Sequence, residues 1–133
     1  MIIDSHCHLT YEPMSKSLTE TINRANKDGV KYMLTISTED KSFDKIIKII
    51  SEHKSVYGTY GIHPHEAKFH QNIKISHIIK KIDLNKKIIG IGETGLDYYY
   101  ENSKKEIQKR IFLEHLKAAK ILNLPTIVHT RSA

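Results

Sequence analysis

Five short runs of aliphatic and β-branched residues recur along the chain: Ile2 to Asp4, Val30 to Ile36, Val56 to Tyr60, Ile88 to Ile91 and Thr126 to Val128. Their spacing is the feature that most restricts the fold. Successive runs start about 26 to 38 residues apart, too far for hairpins but the length of a strand, a helix and two turns, so neighbouring strands are expected to lie parallel, joined by crossovers. The intervening segments carry helical patterns. Ser17 and Glu20 form a capping-box signature and Gly29 supplies a stop after Ala25 and Asn26. Phe43, Ile46, Ile47 and Ile50 form an apolar stripe, and a third helix falls within Ile73 to Ile82. In the fourth, Ile107, Ile111, Phe112, Ala118, Ala119 and Leu122 share one face, with Ser103 as the expected N-cap and Pro125 marking the return to extended chain. The order is β-α-β-α-β-α-β-α-β, an α/β class of four βα units and a fifth strand.

The chain has 133 residues, enough for one domain with a sizeable core but not for two full ones. A net charge of +6 permits an anionic partner without requiring one, because 18 of the cations are Lys and 21 residues are Ile, a bias that an A/T-rich coding sequence also produces. Lys80, Lys81, Lys86 and Lys87, with Lys104, Lys105, Lys109, Arg110, Lys117 and Lys120, fall mostly on helices and are expected on a solvated outer face. A single Cys7 excludes an internal disulfide framework. No basic leader or membrane-length apolar stretch is visible, so a soluble cytoplasmic protein with no membrane partner is expected.

The residues with chemical potential gather at strand ends. His6 and His8 follow the first strand two residues apart, so their side chains point to one side and Cys7 points away. Asp4 shares their parity and is either an imidazole-orienting acceptor or an ordinary strand acid. Glu93 is expected to end the fourth strand and His129 the fifth. In parallel α/β folds the carboxyl ends of strands converge on the ligand site, so this constellation favours metal binding over four incidental residues. The third strand runs into Gly61-Ile62-His63-Pro64-His65, whose stiffened loop directs two imidazoles at the same mouth, for an anionic substrate or proton transfer. Arg131, two residues beyond His129, has the fork geometry that grips phosphate. Tyr98, Tyr99 and Tyr100 offer either stacking faces for nucleobases or ordinary loop packing. Asp97 reads equally as an N-cap, a loop partner or a catalytic group. His53, His70, His77 and His115 lie in or near helices and read as solvated or helix-packing residues.

Four strings, Asp4-Ser5-His6-Cys7-His8-Leu9, Gly61-Ile62-His63-Pro64-His65, Gly92-Glu93-Thr94-Gly95-Leu96-Asp97-Tyr98 and His129-Thr130-Arg131, resemble the TatD family of metal-dependent deoxyribonucleases among the amidohydrolase-like TIM barrels, over essentially the whole chain. The resemblance implies a partial (β/α)8 barrel and hydrolysis of DNA phosphodiesters, commonly from the 3′ ends of single strands, with two divalent ions. By position, His6, His8, Glu93 and His129 are the implied metal ligands, Glu93 bridging and catalytic, with His63, His65 and Arg131 near substrate. Ser132 stands where the family generally has an acid. Three imidazoles and one carboxylate favour Mn²⁺, Zn²⁺, Ni²⁺ or Co²⁺ over the Mg²⁺ usually ascribed to the family.

A family member has roughly twice this length and draws a further His and an Asp from later strands. A closed barrel takes about 250 residues, so this sequence is expected to supply about half of one, with open sheet edges that favour self-association. Two alternatives stand beside the nuclease: an inactive remnant that binds metal or a partner, and a hydrolase of another small substrate.

Overall fold

The computed structural model describes residues 1–133. One parallel sheet runs β1 (Ile2–Cys7), β2 (Val30–Thr35), β3 (Val56–Tyr60), β4 (Ile88–Asp97) and β5 (Thr126–Arg131), in chain order, with β1 and β5 at its edges. Helices α1 (Leu18–Lys27), α2 (Phe43–Glu52), α3 (Ile75–Ile82) and α4 (Lys105–Leu122) make the crossovers, and short 3-10 turns span Met14–Ser17 and Pro64–Phe69. This is a half-barrel of four βα units and a fifth strand, as the strand spacing predicts. No helix is long and apolar enough to cross a membrane.

The core lies between sheet and helices. Phe43, Ile46, Ile49 and Ile50 of α2 are buried, with Ile47 at the margin, so the α2 stripe is turned slightly from the expected one. These side chains pack with Val56, Tyr60, Ile62, Ile78, Ile91 and Ile111 in one cluster, the apolar burial that drives a fold of this size.

Several local expectations are corrected. Ser17 does precede α1, but its side chain makes no cap bond, so the capping box is not formed. Gly29 does follow that helix in a left-handed conformation (φ +98°). Ser103 is not the N-cap of α4: Lys104 holds that position, and the Ser103 hydroxyl accepts from Lys68 N (2.9 Å) and donates to His65 O (3.2 Å). Lys87 is not a solvated outer-face cation either. Its Nζ donates to the carbonyls of Ile50 and His53 (2.6 and 2.7 Å), closing the C-terminal end of α2.

The largest difference is the length of β4. Pairing with β3 ends at Tyr60 opposite Ile91, but pairing with β5 continues after an irregularity through Gly95 opposite His129 and Asp97 opposite Arg131. Glu93 and His129 are therefore inside their strands rather than at the ends. Gly95 (φ +146°) permits this, since a Cβ there would strike the His129 carbonyl oxygen.

His115 packs on the inner side of α4, fully buried, stacked 6.5 Å from Tyr60. Its Nδ1 donates to Ile111 O (2.7 Å) and its Nε2 accepts from Ile62 N (3.2 Å), which uses both nitrogens of the neutral ring. Burial pushes its pKa down to about 4. The unfolded chain takes up this proton near the ordinary imidazole value and the native chain only near 4, so stability falls as pH drops from about 6.5 to about 4, by up to about 3 kcal/mol. Asp40 adds a second loss at lower pH. Burial alone would raise its pKa, but hydrogen bonds from His77 and Tyr60 and the charge of Lys81 outweigh it and bring it down to about 2; that contribution is present above about pH 4 and disappears towards 2. Urea unfolding between pH 7.5 and 2.5 is expected to show both losses, with the upper one diminished in His115→Gln.

Candidate metal centre

The functional side chains gather on the C-terminal half of the sheet's strands, some within the strands and some just beyond them. His6 lies in β1 and His8 one residue beyond it; His63 follows β3 and caps the next turn, its backbone N–H held by Thr38 O (2.8 Å), and His65 lies within that turn. Glu93 and Asp97 come from β4, His129 and Arg131 from β5. Glu93 is anchored by its backbone N–H to Ser37 O (2.7 Å), and its side chain is 12% exposed.

Each Glu93 oxygen faces its own set of imidazoles. Oε2 lies 3.7 Å from His6 Nε2 and 4.0 Å from His8 Nε2; Oε1 lies 3.1 Å from His129 Nδ1 and 4.0 Å from His63 Nε2. The ligand atoms of His6, His8 and Glu93 all fall within 4.8 Å of one another, as do those of His63, Glu93 and His129. Separations of 3.7 and 4.0 Å are too long for hydrogen bonds, but they fit nitrogen and oxygen donors that share a cation at about 2.0 to 2.2 Å from each. The donor set thus fits a divalent metal ion. Burial and the neighbouring His6 hold the His8 imidazole below its ordinary pKa, which keeps it in the neutral form that ligates. Its Nδ1 is buried without a hydrogen-bond partner, and its ring stacks on Tyr11 at 4.9 Å.

Burial, then the nearby His129 and His65, push His63 down to about 3. Its Nδ1 accepts from His65 N at 3.2 Å. Its Nε2 lies within reach of both Glu93 and His129.

Asp97, which the sequence left open among three roles, is fully buried in the centre of this group. Its Oδ2 accepts from His65 Nε2 (2.8 Å) and His129 Nε2 (3.0 Å), and its Oδ1 from the backbone N–H groups of Tyr99 and Tyr100 (3.2 and 3.0 Å). Burial alone would raise its pKa, but these hydrogen bonds outweigh it and hold the carboxyl well below its usual range. Arg131 Nε stands 4.0 Å from Asp97 Oδ2, and its guanidinium lies over the Tyr100 ring at 5.1 Å. Asp4 does not orient an imidazole: its Oδ1 accepts from His6 backbone N (3.1 Å). Cys7 turns away, donating to Leu34 O (3.4 Å), its thiol pushed up to about 12 by burial and then by Asp4. His53, His70, His77 and His115 take no part in the cluster, and His77 instead meets Asp40 at 2.9 Å.

Two supporting residues escaped the sequence reading. Gln108, buried on α4, accepts from Asp97 N (2.7 Å) and donates to Asp97 O (3.0 Å) and Ser103 O (2.6 Å). Thr38 meets the Tyr11 hydroxyl at 2.6 Å. The available signal was a polar residue on an otherwise apolar helix stripe: Gln108 and His115 share the face of Ile111 and Ala118. A cavity of about 230 Å³ lined by His8, Tyr11, Thr38, His63, His65, Glu66 and Glu93 opens onto the cluster. A larger one of about 690 Å³, lined among others by Asp40, Lys68, Lys74 and His77, lies outside it.

The sequence profile of the family described as TatD related DNase matches residues 3–133. An uncharacterized metal-dependent hydrolase of Buchnera aphidicola subsp. Baizongia pistaciae is 37% identical over 135 residues, 99% of this chain and 50% of its own length. One from Bacillus subtilis is 33% identical over 133 residues, 100% of this chain and 52% of its own. Among solved structures, a TatD homologue of Escherichia coli K12 superposes with a TM-score of 0.90 at 28% identity, covering 98% of this chain and 51% of that one. The chain spans about half the length of the curated relatives it matches.

Proposed function

Because this chain belongs to the TatD family of metal-dependent hydrolases, we propose that it carries the divalent-metal centre of a deoxyribonuclease that hydrolyses DNA phosphodiester bonds, from the 3′ ends of single strands. The observation that carries the reading is Glu93, whose two oxygens face separate sets of imidazoles. His6, His8 and Glu93 would hold one cation, and Glu93 and His129 a second. Bound there, two cations would polarise the phosphoryl oxygens and supply an ionised water near neutral pH. The chain's own groups do the rest. Arg131 presents a guanidinium to a phosphate, braced against Tyr100. His63 Nε2, 4.0 Å from the Glu93 carboxylate, presents an N–H for a non-bridging oxygen, His65 lines the same cavity with its Nε2 held by Asp97, and the exposed Tyr99 and Tyr100 rings supply faces for bases.

A second reading, metal binding without turnover, is favoured by the ligand count, since His6, His8, Glu93 and His129 leave each cation with two or three protein donors. End-labelled single-stranded DNA with Mn²⁺ or Mg²⁺ separates the two, using the 133-residue chain alone and fused to the C-terminal half of a relative. Stepwise shortening from the 3′ end, lost with chelator and in Glu93→Ala, is expected of the fusion. Metal binding by the chain alone with no turnover selects the second reading for the chain. A fusion that spares DNA but cleaves small esters or amides overturns the substrate assignment.

A further inference from the structure

We propose that Asp97 is the positioning residue of this centre: it holds His129 and His65 with their protons on Nε2, so that His129 Nδ1 faces Glu93 as the ligand atom and His63 is left as an N–H donor. This rests on the reading of the cluster as a metal centre. An ionised carboxylate only accepts hydrogen bonds. His65 Nε2 and His129 Nε2 both approach Asp97 Oδ2, at 2.8 and 3.0 Å, so each nitrogen must carry its proton. The carboxylate cannot turn to release them. Its other oxygen is engaged by the N–H groups of Tyr99 and Tyr100, and its backbone is clasped on both sides by Gln108.

The remaining protons follow in sequence. His63 Nδ1 accepts from the His65 backbone N–H at 3.2 Å, which places the His63 proton on Nε2. That nitrogen points at His129 Nδ1, 3.2 Å away, where it finds an acceptor. His63 is therefore disfavoured as a ligand through Nε2, although its ring lies within reach of Glu93 and His129. His129 Nδ1 and Glu93 Oε1, 3.1 Å apart, are then two electron-rich atoms in contact, which a cation between them reconciles. A carboxylate behind a ligating imidazole is the arrangement that fixes tautomer and raises ligand basicity at metal sites.

The test is the tautomeric state itself, read from long-range proton–nitrogen correlations of the histidine-labelled, cation-free chain at about pH 8, above the ordinary imidazole pKa. Protons on Nε2 of His65, His129 and His63 are expected. In Asp97→Asn, a carboxamide that can also donate releases this constraint: the His129 proton is expected to redistribute, and Mn²⁺ affinity by calorimetry to fall roughly 10- to 100-fold. A bare Nε2 on wild-type His129 overturns the inference, whether or not the variant folds. So does an Asp97→Asn variant that keeps both tautomer and affinity. Wild-type chain with the expected tautomers but no Mn²⁺ binding overturns the metal reading, and the role of Asp97 towards a metal with it. Mn²⁺ binding with the wrong tautomer overturns this inference alone.

Discussion

Glu93→Gln is expected to weaken Mn²⁺ binding by more than about 100-fold, beyond the range seen when only an outer partner of a ligand is lost. The carboxamide keeps the shape of the side chain but removes the charge shared by both sets of imidazoles, His6 and His8 on Oε2, His129 on Oε1. Asp97 cannot substitute, because its oxygens are engaged by two imidazoles and two backbone N–H groups. Calorimetric titration of wild type and variant, with circular dichroism to establish that the variant folds, checks this. In the same titrations the nitrogen-rich donor set is expected to rank Mn²⁺ and Zn²⁺ above Mg²⁺. A folded Glu93→Gln chain with wild-type affinity would remove Glu93 from the centre.

The second large effect is structural. Gly95→Ala is expected to lose at least about 3 kcal/mol, through backbone strain and a collision that only strand displacement can relieve. The new methyl group would meet the carbonyl oxygen of His129 in β5. Relief of that contact moves the strand that presents His129 and Arg131, so affinity for metal is expected to fall together with stability. Gly29→Ala provides the comparison: φ there is also positive (+98°), yet nothing lies within 4 Å of the added methyl group, so only the conformational cost of about 1 kcal/mol applies. Equal losses in urea unfolding for the two variants would show that β4 and β5 do not approach as described.

The order of strands and helices was legible because each buried stripe recurs at its own period and each strand start is set by a crossover. The site was legible to the extent that its residues sit two apart on a strand, as His6 and His8 do, or close together, as His63 and His65 do. What the sequence concealed was the far end of β4. The sequence places the end of the strand at Glu93; the lack of side chains at Gly92 and Gly95 instead lets β5 run alongside to Asp97. With the strand cut short, Asp97 stayed a loop residue of undecided role. Gln108 was invisible for a related reason: its partners are the main chain of Asp97 and Ser103, and backbone positions leave no mark in composition or periodicity. Ser103 shows the opposite failure. A correct local signal for a cap was overridden because its hydroxyl serves the turn that carries His65.

The division of Glu93 between two sets of imidazoles also decides how charge is balanced. Neutral histidines contribute no charge, so two divalent cations would face only the single negative charge of Glu93, with that of Asp97 behind the rings. Before any water ionises there, a centre loaded in this way would carry a net positive charge of about two. An anion that enters relieves this excess and in turn holds the cations, so metal and anion strengthen each other's binding by thermodynamic necessity. A phosphodiester carries that charge and a neutral amide or ester does not. On the proposed two-cation reading, one carboxylate shared between both positions would favour anionic substrates before any side chain reads their shape.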